Sequence, residues 1–474
     1  MDPIEDSGEA VTPCASAVRR RARQKRRAAD FHTLERAAEQ AALRRAPPPA
    51  RSKPPRRLMR RSPAPVALVL IVLMMTAAGG SNSAFLGSLA ALGQMVLAGM
   101  IFARGALSGA VVRASLPLVA PMAGLLLWAM VPLLTAGGVA PDLLPQALAK
   151  LDGALALLLA SAMVGLRAGR WRSFAIVLTR GTALLIVLTV TLRSIDLPPE
   201  WRTMMEDPKL HRFSATLGNP NAAGALFAML GLVASGVAIE RFALWYDLPG
   251  DKRLYDVMSA GLVALGCLAM VGVTQSRGAL LLWLAGEIVL LAMAAQSCGA
   301  GPRLRRMGGG RWIVPLAGGV LLLVLLLAGE TLDRLGVIDA DGAGRAAAWR
   351  IYGAAAMQVP ITGYGLGSFP AWNQTRLTAS TAPDLWNFGA AHAAPVQVVL
   401  ETGWVGLALV LAGLAAWAWR IAPTLRQEPV AMGMALAVLV ALGASLGDIA
   451  MNVPAIVALA ACCAGLLWGR ALRL

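Results

Sequence analysis

Residues 257–274 read VMSAGLVALGCLAMVGVT and residues 278–296 read GALLLWLAGEIVLLAMAAQ, with Gln275, Ser276 and Arg277 between them. Each run is long enough as a helix, at about 1.5 Å per residue, to cross most of a bilayer core roughly 30 Å thick. A gap of three residues sends the chain straight back, so the pair reads as a helical hairpin. Hydrocarbon offers no partner to a backbone N–H or C=O, so neither run is an open strand or a loop.

Ten further apolar runs flank this hairpin, near 64–80, 84–103, 114–136, 149–166, 174–192, 221–239, 312–329, 395–417, 429–447 and 453–469. The expected fold is an all-α integral membrane protein with about 12 transmembrane helices. Composition agrees: of 474 residues 57% are hydrophobic and 15% charged, and the mean hydropathy is +0.63. Soluble domains carry about 25% charged residues, so an ordinary cytosolic enzyme and a disordered chain are excluded. The five cysteines form no CxxC, and three lie inside apolar runs, which predicts buried thiols without chemistry.

The net charge of +17 is unevenly spread. Residues 1–62 hold 16 basic and 7 acidic side chains and are read as a disordered, basic cytoplasmic tail, with one helix over Asp30–Arg45. No cleavable signal peptide is expected. Arg56, Arg57, Arg60 and Arg61 stand beside the first run, where anionic lipid attracts each by about 1 kcal/mol. That is a simpler use of the charge than nucleic acid, which is not an expected partner. Residues 63–474 form the polytopic membrane domain. Alternate gaps hold Arg104 and Arg113, then Arg167, Arg170 and Arg172, then Arg241, Lys252 and Arg253, then Arg303, Arg305, Arg306 and Arg311, then Arg420 and Arg426, and finally Arg470 and Arg473. The other short gaps are nearly free of Arg and Lys. This bias puts the basic gaps and both termini in the cytoplasm. Two outer segments are then long, 193–220 and 330–394, and long loops are where function tends to sit.

Four motifs fall on the outer side. Gly218-Asn219-Pro220-Asn221 opens a run: Asn219 suits an N-cap and Pro220 the first helical position. The free N–H groups there also suit an anion. Thr274-Gln275-Ser276-Arg277-Gly278 places a guanidinium at the membrane boundary, on the side the charge bias disfavours. Gly344-Arg345-Ala-Ala-Ala-Trp349-Arg350 reads as a helix over 344–357 in which Arg345 and Trp349 share a face. Forked donors beside an aromatic ring suit a phosphate next to a sugar. A turn-rich stretch follows at 360–369. His392, just before the run opened by Pro395, is the side chain best suited to take a proton near neutral pH. Asp339 and Asp341 form a DxD on the outer side, where nucleotide sugars are not supplied. Within the runs, Glu287 and Arg180 are expected to face the bundle interior, Arg180 within snorkelling reach of the inner end.

Taken together, GNPNAAG at 218–224, TQSRGALL at 274–281, GRAAAW at 344–349, PITGYGLGSF at 360–369, HAAPVQVVLETGWVG at 392–406 and SLGDIAMNVPA at 445–455 resemble the O-antigen ligase and polymerase superfamily of bacterial membrane proteins. The resemblance covers about residues 64–470. It implies a GT-C-like multispan glycosyltransferase of the bacterial inner membrane, needing no cofactor and no metal. Its donor would be a glycan on undecaprenyl diphosphate, presented at the periplasmic face. Its acceptor would be lipid A–core, a growing glycan or a protein hydroxyl. Carried over by motif, Arg277 and Arg345 bind the diphosphate, with Arg350 and Asn219 as further anion contacts and Trp349 against a sugar. His392 serves as the base on the acceptor hydroxyl, or orients it. The ligase pattern has Asn, Ser or Gln after the histidine, whereas Ala393 stands here, so a polymerase of exported polysaccharide stays open beside a ligase. A secondary transporter is the alternative from another class, since twelve spans suit it too, and an anchored scaffold is a third.

Overall fold

The computed structural model describes residues 62–105, 108–134, 138–195, 198, 205–206, 212–244, 250–297, 340–386, 388–426 and 428–473. The tail up to residue 61, with its expected helix, lies outside them. So do the run at 312–329, Asp339, the side chains of Asp341 and Arg345, and much of the segment 193–220.

Among the described residues the chain is helical, apart from one isolated bridge between Glu206 and Phe213. The helices longer than one turn are α1 (Ala64–Ala77), α2 (Ala84–Ala103), α3 (Gly109–Ala129), α4 (Leu144–Gly165), α5 (Arg170–Ser194), α6 (Pro220–Ala243), α7 (Gly250–Val273) and α8 (Arg277–Ser297). Then come α9 (Ala340–Ala356), α10 (Phe369–Arg376), α11 (Ala394–Leu425), α12 (Pro429–Ala444) and α13 (Pro454–Arg473). Eight of these helical stretches are long and apolar enough to cross a membrane, and α1 and α12 are shorter apolar helices. The chain is a multi-pass membrane protein. Eleven of the twelve apolar runs coincide with a helix, α8 among them, and the twelfth is the run at 312–329.

The helix ends follow local chemistry. Ser83 and Ser108 accept the Leu86 and Val111 amides at the starts of α2 and α3. The second cap explains why α3 begins a turn before its apolar run. Pro220, Pro429 and Pro454 each open a helix, where the missing N–H costs nothing.

Two helices, α6 and α13, are enclosed by their neighbours. Around α6 stand α5, α7, α8 and α12; around α13 stand α1, α4, α11 and α12. Lipid tails supply no hydrophobic drive between helices, so close backbone approach and packing hold such a bundle. Gly465 and Gly469, four apart on α13, lie so near α4 that a β-carbon on either would strike the carbonyl of Leu158 or Ala162. Gly433 of α12 lies in the same way against Leu232 of α6. Glu287 faces inward as expected, and its carboxylate accepts the Ser235 hydroxyl across the α6–α8 contact. Arg180 instead faces outward and lines a lateral cavity of about 190 Å³ with Arg241 and Asp256. The inward space beside it is filled by Leu178 and Thr179, both buried.

Candidate functional site

The site is built where α6, α8, α11, α12 and α13 meet the loops at one end of the bundle. Asn219 caps α6: its side-chain oxygen accepts the Ala222 amide at 2.9 Å. Its β-conformation (φ −140°, ψ 119°) and the fixed φ of Pro220 start the helix there. Two residues on, Asn221 points away from the cap. Its amide donates to Asp448 Oδ2 at 2.6 Å, and its oxygen accepts from Arg212 Nη2 at 3.2 Å.

Asp448 lies on the turn between α12 and α13. Its other oxygen accepts the Ile449 amide at 2.7 Å and stands 3.7 Å from His392 Nδ1. That separation is too long for a hydrogen bond but close enough for strong Coulomb coupling in a half-buried setting. A carboxylate beside Nδ1 favours the proton on that nitrogen and leaves Nε2 with its lone pair.

His392 has φ +52°, one of three non-glycine residues in the left-handed region among the described residues. His tolerates this better than most, yet strain of about 1–3 kcal/mol has to be held by neighbours. Those neighbours are visible. Trp349 Nε1 donates to the His392 carbonyl at 3.3 Å, the Phe388 ring lies 4.5 Å from the imidazole, and the Ala394 amide donates to the Ser445 carbonyl at 2.7 Å. Trp349 is half exposed and its ring lies beside Gly447. The structure therefore brings Trp349, His392 and Asp448 together.

The α7–α8 hairpin carries Arg277. Gln275, at φ +53°, turns the chain between the helices, and Thr274 and Ser276 are buried beneath it. Gly224 of α6 admits this approach: a β-carbon there would stand 2.8 Å from Thr274 Oγ1 and from Ser276 Cβ. Arg212 Nη2 donates to the Thr274 and Gln275 carbonyls, both at 2.9 Å. Arg277 is partly exposed and Arg350 exposed, and neither has an ion pair among the described residues. Arg345 lies on α9, one turn before Trp349.

An aromatic module supports the site from the loop side. Tyr352 packs edge to face on both Phe369 and Trp372, with Tyr352–Phe369 centroids 5.1 Å apart, and Tyr364 stacks on Trp372 at 5.5 Å. Tyr352 donates to Asn373 at 2.8 Å, and burial pushes its hydroxyl up to about 12. The turn at 360–368 docks on α11, where Tyr364 and Gly365 donate to the Leu400 and Glu401 carbonyls and the Gly367 amide donates to the Glu401 carboxylate at 2.9 Å. It meets α11 at the kink made by Gly403 (φ 68°), and only glycine fits against the Ile361 carbonyl there.

Sequence reasoning missed Arg212, Asn221 and Asp448. Arg212 had the same signal as Arg277, a basic residue on the side the charge bias disfavours. Asp448 lies in the stretch 445–455, where no neighbour in sequence marks its carboxylate as facing a histidine. Among the described residues no three His, Cys, Asp or Glu side chains converge as a metal site. Chemically, the arrangement sets an imidazole beside a carboxylate, next to an indole ring, with the Arg277 and Arg350 guanidiniums lacking a carboxylate among the described residues.

Residues 262–411 match the family model of O-antigen ligase. The match starts inside α7, takes in the Arg277 hairpin, α8, α9, the aromatic module and His392, and ends within α11. Arg212, Asn221 and Asp448 lie outside the matched stretch. No curated protein matches the chain.

Proposed function

From a chain whose residues 262–411 carry an O-antigen ligase match, we propose a membrane glycosyltransferase of bacterial surface-polysaccharide assembly. It moves a glycan from undecaprenyl diphosphate to an acceptor hydroxyl at the periplasmic face of the inner membrane. In this reading about twelve helices span the bilayer, both termini are cytoplasmic, and the basic tail meets anionic lipid. The acceptor is a growing glycan or lipid A–core.

The observation that carries the reading is the convergence at one bundle end of His392, coupled to Asp448, with the Arg277 hairpin and Trp349. The acceptor oxygen attacks the anomeric carbon. The bond from that carbon to the diphosphate oxygen breaks, and its electron pair leaves with the diphosphate. The acceptor proton passes to His392 Nε2, and Asp448 favours the imidazolium that results. Arg277 and Arg345 offset the charge growing on the leaving group, work that fixed guanidiniums do without a metal ion. Trp349 offers a ring face to a sugar, and Arg350 adds positive charge at the rim. The Asn219 oxygen is held by its cap, the Ala222 and Ala223 amides both donate back to Asn219, and Pro220 has no N–H, so the α6 terminus offers an anion the Asn221 amide alone.

Deleting the gene tests this. Lipopolysaccharide is separated on a gel and exported polysaccharide is assayed in parallel. Loss of the glycan ladder with intact core marks a ligase, and loss of long exported polymer with a normal ladder marks a polymerase. An unchanged ladder and unchanged polymer would overturn the proposal, and substrate flux in proteoliposomes would then establish the transporter.

A further inference from the structure

We infer that Arg212 is a positioning residue, which fixes the Arg277 hairpin relative to the His392–Asp448 pair by gripping two backbone carbonyls. The functional meaning of this grip rests on Arg277 serving the diphosphate. The grip itself does not.

The hairpin needs a cation. At the end of α7 the chain stops making helical hydrogen bonds, and Gln275 turns left-handed, at φ +53°. The Thr274 and Gln275 carbonyls then point to one spot at a helix C-terminus, where partial negative charge collects and a cation is favoured. Arg212 fills that spot. Nη2 donates to both carbonyls at 2.9 Å, Nε donates to the Thr274 carbonyl at 3.2 Å, and Nη2 reaches Asn221 Oδ1 at 3.2 Å. The fork of a guanidinium fits this set, and an ammonium, a point donor, does not.

The clamp is itself anchored. Arg193 lies over the Phe213 ring at 5.2 Å, the Ser214 amide donates to the Met205 carbonyl at 2.8 Å, and Asn82 donates to the Leu217 carbonyl at 3.0 Å. The Thr216 hydroxyl donates to the Thr76 carbonyl at the end of α1. On its other side Asn221 passes the contact on to Asp448, and Asp448 faces His392. Hairpin, Arg212, Asn221, Asp448 and His392 thus form one connected row. Its two ends hold the groups that meet the leaving group and the acceptor. Misplacing such groups by 1 Å can cost about 100-fold in rate.

The test uses the full chain, expressed in cells lacking the native gene, with Arg212→Ala, Arg212→Lys and Arg277→Ala. Two quantities are measured: surface glycan per amount of membrane protein, and amide hydrogen exchange of residues 274–280 in the purified protein. Arg212→Ala is expected to lower glycan about 100-fold and to speed exchange of the hairpin about tenfold or more. Arg212→Lys should fall between on both, and it carries the test if the alanine variant fails to accumulate. Arg277→Ala should lower glycan about 100-fold or more with hairpin exchange unchanged. Unchanged exchange in the Arg212 variants would overturn the positioning role, and so would faster exchange with full glycan. Full glycan in Arg277→Ala would instead sink the diphosphate reading, while the exchange data still decide what Arg212 holds.

Discussion

The two ends of the bundle spend their charges differently. At the end where α5 begins and α13 finishes, Arg172 donates through Nε to both Glu240 oxygens at 3.1 Å and through Nη2 to Glu428. Arg470 reaches the same Glu428 at 3.5 Å, and both guanidiniums lie against the Trp171 ring, at 4.4 and 4.7 Å. Two cations meet two carboxylates there, so the cluster closes on itself and ties α5, α6, α12 and α13 together. At the other end, Asp448 is held by Asn221 and the Ile449 amide beside His392, while Arg277 and Arg350 have no carboxylate among the described residues. The lesson is one of balance. A cluster whose charges cancel holds helices in place, and one with cations to spare has room for an anion that arrives from outside.

The largest effects should separate these ends. His392→Ala or Arg277→Ala is expected to lower glycan product about 100-fold or more at normal protein level, the usual size of a lost general base or a lost charge contact. Arg172→Ala should leave the yield per folded molecule unchanged and lower the amount of protein in the membrane. If Arg172→Ala cut specific yield as deeply as His392→Ala, the contrast between the ends would collapse.

Asp448→Asn sharpens the comparison. It keeps a partner for Asn221 but removes the charge facing Nδ1, so product should fall about 10–100-fold, as for other groups that orient a functional histidine. Unchanged yield would mean that His392 is oriented by its backbone alone. Opposite it, Glu428→Gln should cost about 1 kcal/mol of stability, a modest figure because the pair is partly solvated, and thermal unfolding with activity per molecule reads it.

A smaller effect concerns the aromatic module. Tyr352→Phe loses the bond to Asn373 and should cost about 1 kcal/mol. The Tyr352 hydroxyl titrates higher folded than the ordinary value of 10.0, at about 12. Its contribution is therefore whole below pH 10 and lost as pH rises through 12, so alkaline titration should loosen the wild-type module across that window and the Phe variant less. Last, chelator should leave glycan yield unchanged, and a fall restored by added cation would refute metal-free transfer.

Much of the fold was legible because each membrane helix must satisfy its own backbone, which makes length and hydropathy sufficient. The hairpin at 274–278 and the α6 cap followed from three or four residues each. The site was legible only where a residue type is conspicuous locally, as with His392, Trp349 and Arg277. Asn219 and Asn221 are chemically alike. Only the helical turn between them turns one to the cap and the other to Asp448, and Asp448 is 227 residues away in the chain. Arg212 lies in a segment without periodicity, and its worth depends on two carbonyls that converge only once Gln275 has turned left-handed. The helix of α11 also outruns its apolar run, continuing past Pro423 to Leu425.

The enclosure of α13 bears on how the molecule is made. This helix follows every other described helix in the chain, yet α1, α4, α11 and α12 surround it. Its Gly465 and Gly469 face fits α4 with no space for a later adjustment. The close α4–α13 fit can therefore form only once the last described helix has been synthesised, after α1, α4, α11 and α12.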